Sequence, residues 1–154
     1  MIYKKSWKYI LTSRDTECSY LFRLKAVRNF SDITKGSLGG YVQGYYKLSQ
    51  TGNCWVYNEA VVRENAKITE NARIYDKAKV CGYAQIFGNA KVSGNAHVYD
   101  NAEICGTAHI YGNSQVYGKA QVYGNAIVKE NAKVSGNAIV RKDIIVRGET
   151  YLSD

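Results

Sequence analysis

From Gly52 onward, apolar and polar positions recur with a period of six residues. In residues 92–104, VSGNAHVYDNAEI, aliphatic residues at 92, 98 and 104 alternate with alanines at 96 and 102. Residues 52–153 divide into 17 consecutive hexads without an insertion, and the fifth position is Val, Ile or Leu in all 17. A strand buries every second side chain and a helix about one in 3.6, so neither element alone produces this period.

Each position of the hexad has its own residue type. The third is Ala in 13 hexads, the second is Asn in ten and the first is Gly in ten. Positions three and five are expected to point inward from one short strand. Positions one and two are expected to turn a corner, because Gly and Asn accept backbone conformations that other residues resist. Three strands and three corners close a triangular coil, and the hexads suffice for about 5–6 coils.

An aliphatic residue followed four positions later by a small one, as in Val92–Ala96 and Val98–Ala102, resembles the hexapeptide-repeat left-handed β-helix proteins. The resemblance implies an all-β fold, a left-handed parallel β-helix shaped as a triangular prism. The segments ITKGSLGGYV and TGNCWVY, together with the GNA-type hexads, are similar to small repeat proteins encoded by phages and prophages.

The first 51 residues lack the six-residue period. In YLFRLKAVRNF (20–30), apolar side chains alternate with basic ones, which predicts a half-exposed strand. A turn is expected at Gly39–Gly40. We therefore predict two domains, an N-terminal antiparallel β cap at 1–51 and the β-helix at 52–154. The cap would cover the open edge of the first coil, which would otherwise invite pairing with other strands.

Charge is concentrated in the predicted cap. Residues 1–51 contain nine Lys or Arg and three Asp or Glu, which gives +6 of the net charge of +8. A basic surface favours an acidic partner, such as a nucleic acid, a nucleotide or an acidic protein surface. The alternative is that the charge only keeps the protein soluble. The candidate contact residues of the cap are Arg23, Lys25 and Arg28.

Aromatic and basic residues also interleave on one face of the predicted prism, because hexads three apart share a face. Side chains of this kind can stack on bases and pair with phosphates. The candidate binding residues are Tyr57, Arg73, Tyr75, Lys91, His109 and Tyr111, and Trp55 is expected to point outward at the same face. The alternative is that Tyr57 over Tyr75, and Tyr99 over Tyr117, are stacked ladders that only stabilise the sheet.

Apolar residues occupy the outward fourth position towards the end of the repeat. They are Ile127, Ile139, Ile145 and Tyr151. Exposed apolar clusters usually mark an interface, so we expect self-association through the last coils. A symmetric homodimer is expected, with a trimer as the alternative.

Other residues limit the function classes. The four cysteines have no metal-ligand spacing and are expected to be free thiols, and neither a metal nor a cofactor is expected. The N-terminus has no signal-peptide pattern and no apolar run could span a membrane, so a cytoplasmic location, in the bacterial host, is expected.

Three functions remain. The phage-type resemblance implies a non-catalytic protein that inhibits a host defence component by stoichiometric binding, as anti-CRISPR proteins do. Its target would be a host protein or nucleoprotein, or a nucleotide or nucleic acid. A self-assembling structural protein is the second possibility. An acyltransferase is the third, since many proteins with this repeat are acyltransferases, but the hexads leave no room for a loop that shapes a site. His97 and His109 fall on different faces without an obvious acidic partner, so no catalytic residue is assigned.

Overall fold

Short parallel strands form the three faces of a prism. The structure, a computed structural model, describes residues 7–14 and 20–154. From Trp55 onward, one two-residue strand occurs in every hexad, 17 in all. Strands 18 residues apart pair in parallel, as Lys91 does with Arg73 and with His109. The predicted β-helix, with about six coils and antiparallel strands at its N-terminal end, is confirmed.

The three faces differ in length. The first face has nine strands: β1 (Tyr9–Arg14), β2 (Phe22–Ala26), β3 (Leu38–Val42), β5 (Val61–Val62), β8 (Lys79–Val80), β11 (His97–Val98), β14 (Gln115–Val116), β17 (Lys133–Val134) and β20 (Tyr151–Leu152). The second has six: β4 (Trp55–Val56), β7 (Arg73–Ile74), β10 (Lys91–Val92), β13 (His109–Ile110), β16 (Ile127–Val128) and β19 (Ile145–Val146). The third has five: β6 (Lys67–Ile68), β9 (Gln85–Ile86), β12 (Glu103–Ile104), β15 (Gln121–Val122) and β18 (Ile139–Val140).

The corners explain the first two positions of the hexad. All 17 first positions have positive φ, and seven of these residues are not glycine. Several of the seven have a side-chain carboxylate that accepts a backbone N–H from the first position of the hexad one coil further on. Glu70 accepts from Gly88 in this way, at 2.8 Å. Asparagines at the second position form ladders along the corners instead, and the Asn95 side-chain amide donates to Asn113 at 3.1 Å.

The N-terminal strands extend the first face and cover the start of the prism. Strands β1, β2 and β3 pair antiparallel, and β3 then pairs in parallel with β5. Trp55 lies in register with Arg73 on the second face, as predicted, but its expected exposure is wrong. It is buried, because the rings of Phe30 and Tyr9 pack edge-on against it at 5.4 and 6.2 Å between centroids.

A buried lysine satisfies carbonyl groups at the open end of the second face. In later coils, the carbonyl at the first hexad position accepts an N–H from the preceding coil, as Gly88 does from Asn71. The second face has no coil before Gly52. There the Lys8 ammonium donates to the carbonyls of Gly52 at 3.3 Å and Cys54 at 2.9 Å. Burial lowers the pKa of Lys8, although the nearby Cys54 thiol opposes this effect.

The predicted turn at Gly39–Gly40 is also wrong, since both glycines lie within β3. The chain turns at Gly36, where φ is +93°. The two glycines are needed for close approach instead. A Cβ on Gly39 would lie 2.6 Å from the carbonyl oxygen of Val56 and 2.7 Å from the indole of Trp55. This contact lets β3 press against the second face.

Other expectations concern individual residues. Cys54, Cys81 and Cys105 are free thiols, as predicted, whereas Cys18 lies outside the described residues. The division into two domains, 1–51 and 52–154, stays a prediction. Strands from both parts belong to one nine-stranded sheet. Within residues 7–14 and 20–154, no helix is long and apolar enough to cross a membrane.

Candidate functional site

The second face presents the interleaved aromatic and basic side chains, and we call it the aromatic–basic face. Arg73, Lys91 and His109 follow one another in register on β7, β10 and β13. Neighbouring strands lie about 4.8 Å apart, so the three side chains form a row along the prism. Tyr57 and Tyr75 stack beside this row, with 4.4 Å between ring centroids and 16° between planes.

One end of the row is held by the N-terminal segment. Phe30 and Ile33 pair across a two-residue hairpin whose tip is Ser31–Asp32. The Asp32 carboxylate accepts the Tyr57 hydroxyl at 3.1 Å and lies 3.1 Å from the Arg73 guanidinium. The guanidinium also donates to the Ser31 hydroxyl at 2.7 Å. These contacts join the cap to the prism and neutralise Arg73.

The same contacts perturb the acidic and phenolic groups. Partial burial would raise the pKa of Asp32, but its hydrogen bonds and the nearby Arg73 charge outweigh this and lower it. Burial raises the pKa of Tyr57 well above its ordinary value, and Arg73 only partly opposes the shift. At neutral pH the cluster is therefore an ionised carboxylate that bridges a neutral phenol and a cation.

The other members of the row remain open to a ligand. Lys91 is exposed, and its ammonium has no hydrogen bond or ion pair within the described part of the chain. The Nε2 atom of His109 lies 3.0 Å from the Ser93 hydroxyl, and its ring lies against Tyr111. Burial and the adjacent Lys91 charge lower the pKa of His109, so it is neutral at pH 7.

An open groove of about 510 Å³ runs beside the row. Asn53, Asn71, Asn89, Arg73 and Lys91 line it. The hexad pattern predicts these asparagines only as corner residues, so it does not reveal the row of amides that lines the groove. No Asp or Glu occupies the outward fourth or sixth position of the aromatic–basic face. Asp32 therefore reaches the face from outside the repeat.

A similar arrangement occurs on the first face. The Nε2 atom of His97 lies 3.3 Å from the Cys81 thiol, and Tyr99 stacks on Tyr117 at 4.8 Å. Both predicted tyrosine stacks are thus confirmed. The Ser93–His109 and Cys81–His97 pairs are each 16 residues apart, and this spacing could have been found from the hexads. Burial lowers the pKa of His97 as well. Among the described residues, no group of three or more His, Cys, Asp or Glu could hold a metal ion.

Among the candidate residues of the cap, Arg23 contacts the first face. The Arg23 guanidinium donates to the Tyr41 hydroxyl at 2.6 Å and pairs with Glu59 at 3.5 Å, on the first face. Lys25 and Arg28 are exposed. Among the described residues, no hydrogen bond or ion pair links Arg23, Lys25 or Arg28 to the row formed by Arg73, Lys91 and His109.

The candidate interface residues are divided among the faces. Ile145 lies directly over Ile127 on the aromatic–basic face, as expected. Ile139 is on the third face and Tyr151 on the first, and both are exposed. The exposed Ile144, at a third position that is usually Ala, was not predicted.

Comparisons with known proteins agree with a hexapeptide-type β-solenoid. Residues 84–100 and 120–132 match a family model described as a YdcK β-solenoid repeat. A stretch of 55 residues is 36% identical to a protein of Escherichia coli (strain K12) named uncharacterized acetyltransferase YdcK. The alignment covers 35% of this chain and 17% of that protein's length. The fold and these matches confirm the predicted repeat class, while the resemblance to phage proteins stays a prediction.

Proposed function

We propose that this is a non-catalytic binding protein whose aromatic–basic face binds the phosphates of a nucleic acid. Lys91 carries the proposal, because it is an exposed cation without a partner among the described residues, beside a groove lined by amides. His109 extends the site by one coil. The role that the resemblance to phage-encoded repeat proteins implies, stoichiometric inhibition of a host defence component that handles nucleic acids, is part of the same proposal.

The rigidity of the face supports binding without catalysis. Each strand of the row is hydrogen-bonded on both sides, so the outward side chains have a fixed spacing. A cation held at a fixed position, such as Lys91, loses little freedom on binding, and its contact with a phosphate releases counterions. Amides beside Lys91 can contact the phosphates and sugars of the backbone without a particular sequence.

The test is the binding of a fluorescently labelled single-stranded oligonucleotide, measured by anisotropy. Lys91→Glu is expected to weaken binding about tenfold or more, since it replaces an attraction with a repulsion. Lys67→Glu is the matched control, because Lys67 is also an exposed fourth-position lysine but lies on the third face. Equal losses in the two variants, or no binding by the parent protein, would contradict the proposal.

A second candidate function is acyl transfer, favoured by the similarity to the protein named as an acetyltransferase. His109 beside Ser93 would then be the general base, because its lowered pKa keeps it neutral and able to accept a proton. An acyltransferase should be stabilised by its donor, so coenzyme A should raise the melting temperature. No shift at millimolar coenzyme A would remove this candidate.

The proposal includes self-association of the last coils as a homodimer, with a trimer as the alternative. Ile145 stacked over Ile127 provides an apolar strip on one sheet, and removal of such a strip from water favours association. Ile139 and Tyr151 flank this strip from the other two faces.

A further inference from the structure

A nearly fully exposed aromatic ring separates two hollows at the corner between the first and third faces. Tyr46 is 91% exposed and lies on a 3₁₀ turn, Tyr45–Lys47. One hollow, of about 440 Å³, is lined by Trp7, Gly44, Tyr45, Tyr46 and Gln50. The other, of about 470 Å³, is lined by Gln43, Gly44, Tyr46, Lys47, Glu64 and Asn65. A flat ligand could therefore approach either side of the Tyr46 ring.

The turn that carries Tyr46 is firmly anchored. The hydroxyl of the buried Tyr9 donates to the carbonyl oxygen of Leu48 and lies 3.0 Å from that of Tyr45. Leu48 is itself buried and pairs with Ile68 of the third face. The Tyr46 ring is thus presented by a fixed backbone, and ordering it on binding costs little entropy.

The surroundings of the ring indicate the chemistry of its ligand. Trp7 and Tyr45 add two more rings, whose centroids are 5.1 Å apart. Lys47 supplies a cation in the second hollow, and Gln43 and Asn65 line it with amides. Unpaired nucleotides are recognised by a combination of three groups. These are rings that stack on bases, amides that hydrogen-bond to base edges and a cation near the phosphate backbone.

The carboxylate in the second hollow does not oppose this assignment. Glu64 accepts the backbone N–H of Gly82 at 2.7 Å and lies 3.8 Å from the Arg63 guanidinium. Its charge is therefore directed towards the corner of the next coil. Residues 1–51, which include the turn, carry a net charge of +6. This charge favours an anionic ligand over a cationic one.

We propose that Tyr46 stacks on an unpaired base of a single-stranded nucleic acid, with Lys47 near the adjoining phosphate. This inference rests on the proposed function for the class of ligand, but it concerns a separate surface. The aromatic–basic face would bind phosphates alone, whereas the Tyr46 turn would require a base. Single strands would therefore be preferred over duplexes, whose bases are already stacked.

The test compares two labelled oligonucleotides of equal length, one of about twelve thymidines and one abasic. The protein is expected to bind the thymidine strand about fivefold to a hundredfold more tightly, since stacking on one aromatic residue has effects of this order. Tyr46→Ala should abolish the preference, and Tyr46→Phe should keep it. Tyr83→Ala is the matched control, because Tyr83 is 63% exposed on another part of the prism.

The outcomes separate this inference from the proposed function. Lys91→Glu should weaken binding of both strands by the same factor and leave the preference intact. A preference that persists in Tyr46→Ala, or equal binding of both strands by the parent protein, overturns the inference but leaves phosphate binding. Equal binding of both strands by the parent protein is the result expected if the Tyr46 turn binds a protein partner instead. Failure of both strands to bind overturns both proposals.

Discussion

Asp32 and Arg73, 41 positions apart in sequence, form an ion pair of 3.1 Å between the N-terminal hairpin and the aromatic–basic face. The pair neutralises Arg73, one of the two cations in the row at neutral pH, with a carboxylate of the same chain. A phosphate approaching Lys91 therefore meets a negative charge one coil away. The hairpin both attaches the cap and limits the positive potential of the face.

Removal of this charge should strengthen binding. Asp32→Asn keeps the size of the side chain but frees the Arg73 cation, so affinity for a single-stranded oligonucleotide should rise about fivefold. Glu103→Gln is the control, because it removes one negative charge from the third face. An equal rise in both variants would show that only net charge matters.

The same substitution should slightly lower stability. An exposed ion pair contributes about 0.2–1 kcal/mol, which denaturation of Asp32→Asn should reveal at neutral pH. The folded state lowers the pKa of Asp32, so this contribution is present above the unfolded value of 3.8 and is lost as pH falls through the folded value. Parent and variant should therefore converge in stability in acid, and a constant difference would contradict the assignment.

Binding should strengthen as pH falls through the His109 titration. Burial and Lys91 lower the pKa of His109, and a bound phosphate would favour its protonated form. Each pKa unit of upward shift in the complex corresponds to about a tenfold gain in affinity at low pH. Affinities measured from about pH 7.5 to about pH 5.5 should show this gain in the parent protein.

The second histidine provides the control for this prediction. His97→Gln should keep the pH dependence, since His97 lies on the first face beside Cys81. His109→Gln should abolish it. If the two variants behave alike, the pH effect arises from general charge and the placement of His109 in the site is wrong.

Gly39 should tolerate no side chain. Its added Cβ would clash with the Val56 carbonyl and Trp55, so Gly39→Ala should cost about 1–3 kcal/mol in the free energy of unfolding. Gly44→Ala is the control, because its φ of 169° is extended and nothing lies within 4 Å of an added Cβ. Chemical denaturation measures both, and equal stabilities would contradict the close packing of β3 on the prism.

The strip formed by Ile127 and Ile145 should control self-association. Ile145 is 54% exposed, so Ile145→Lys should leave the fold intact and lower the oligomeric mass to that of one chain. Light scattering measures this mass directly. Gln85→Lys is the control and should retain the oligomer, because Gln85 is an exposed fourth-position residue on the third face, outside the last coils. If Ile127→Lys combined with Ile145→Lys keeps the parent's mass, self-association through this strip is disproved.

The period of six predicts the repeat architecture because one hexad position has one structural role throughout. Val92 and Ala96 are buried in the structure, as their fifth and third positions in the hexad predict. The period contains no information about residues outside it. It therefore could not place Phe30 over Trp55, or Asp32 beside Arg73, because these contacts depend on how the cap folds back.

Other features of the site were present in the sequence but were assigned one role only. The hexad pattern predicts Asn71 and Asn89 as corner residues, yet they also line the groove beside Lys91. Tyr46 has no counterpart in the hexads, and its exposure follows from the turn that Tyr9 anchors. Sequence patterns thus predict which side chains face outward in the repeat. Contacts with the cap determine which of these side chains are covered or paired, as Trp55 and Arg73 are.

The most direct test of the central claim is the salt dependence of oligonucleotide binding. Each lysine that contacts a phosphate adds about one to the slope of log affinity against log salt concentration. Lys91→Gln should therefore reduce the magnitude of the slope by about 1, while Lys67→Gln should leave it unchanged. Identical slopes for the parent protein and both variants would show that Lys91 contacts no phosphate and would contradict a binding role for the aromatic–basic face.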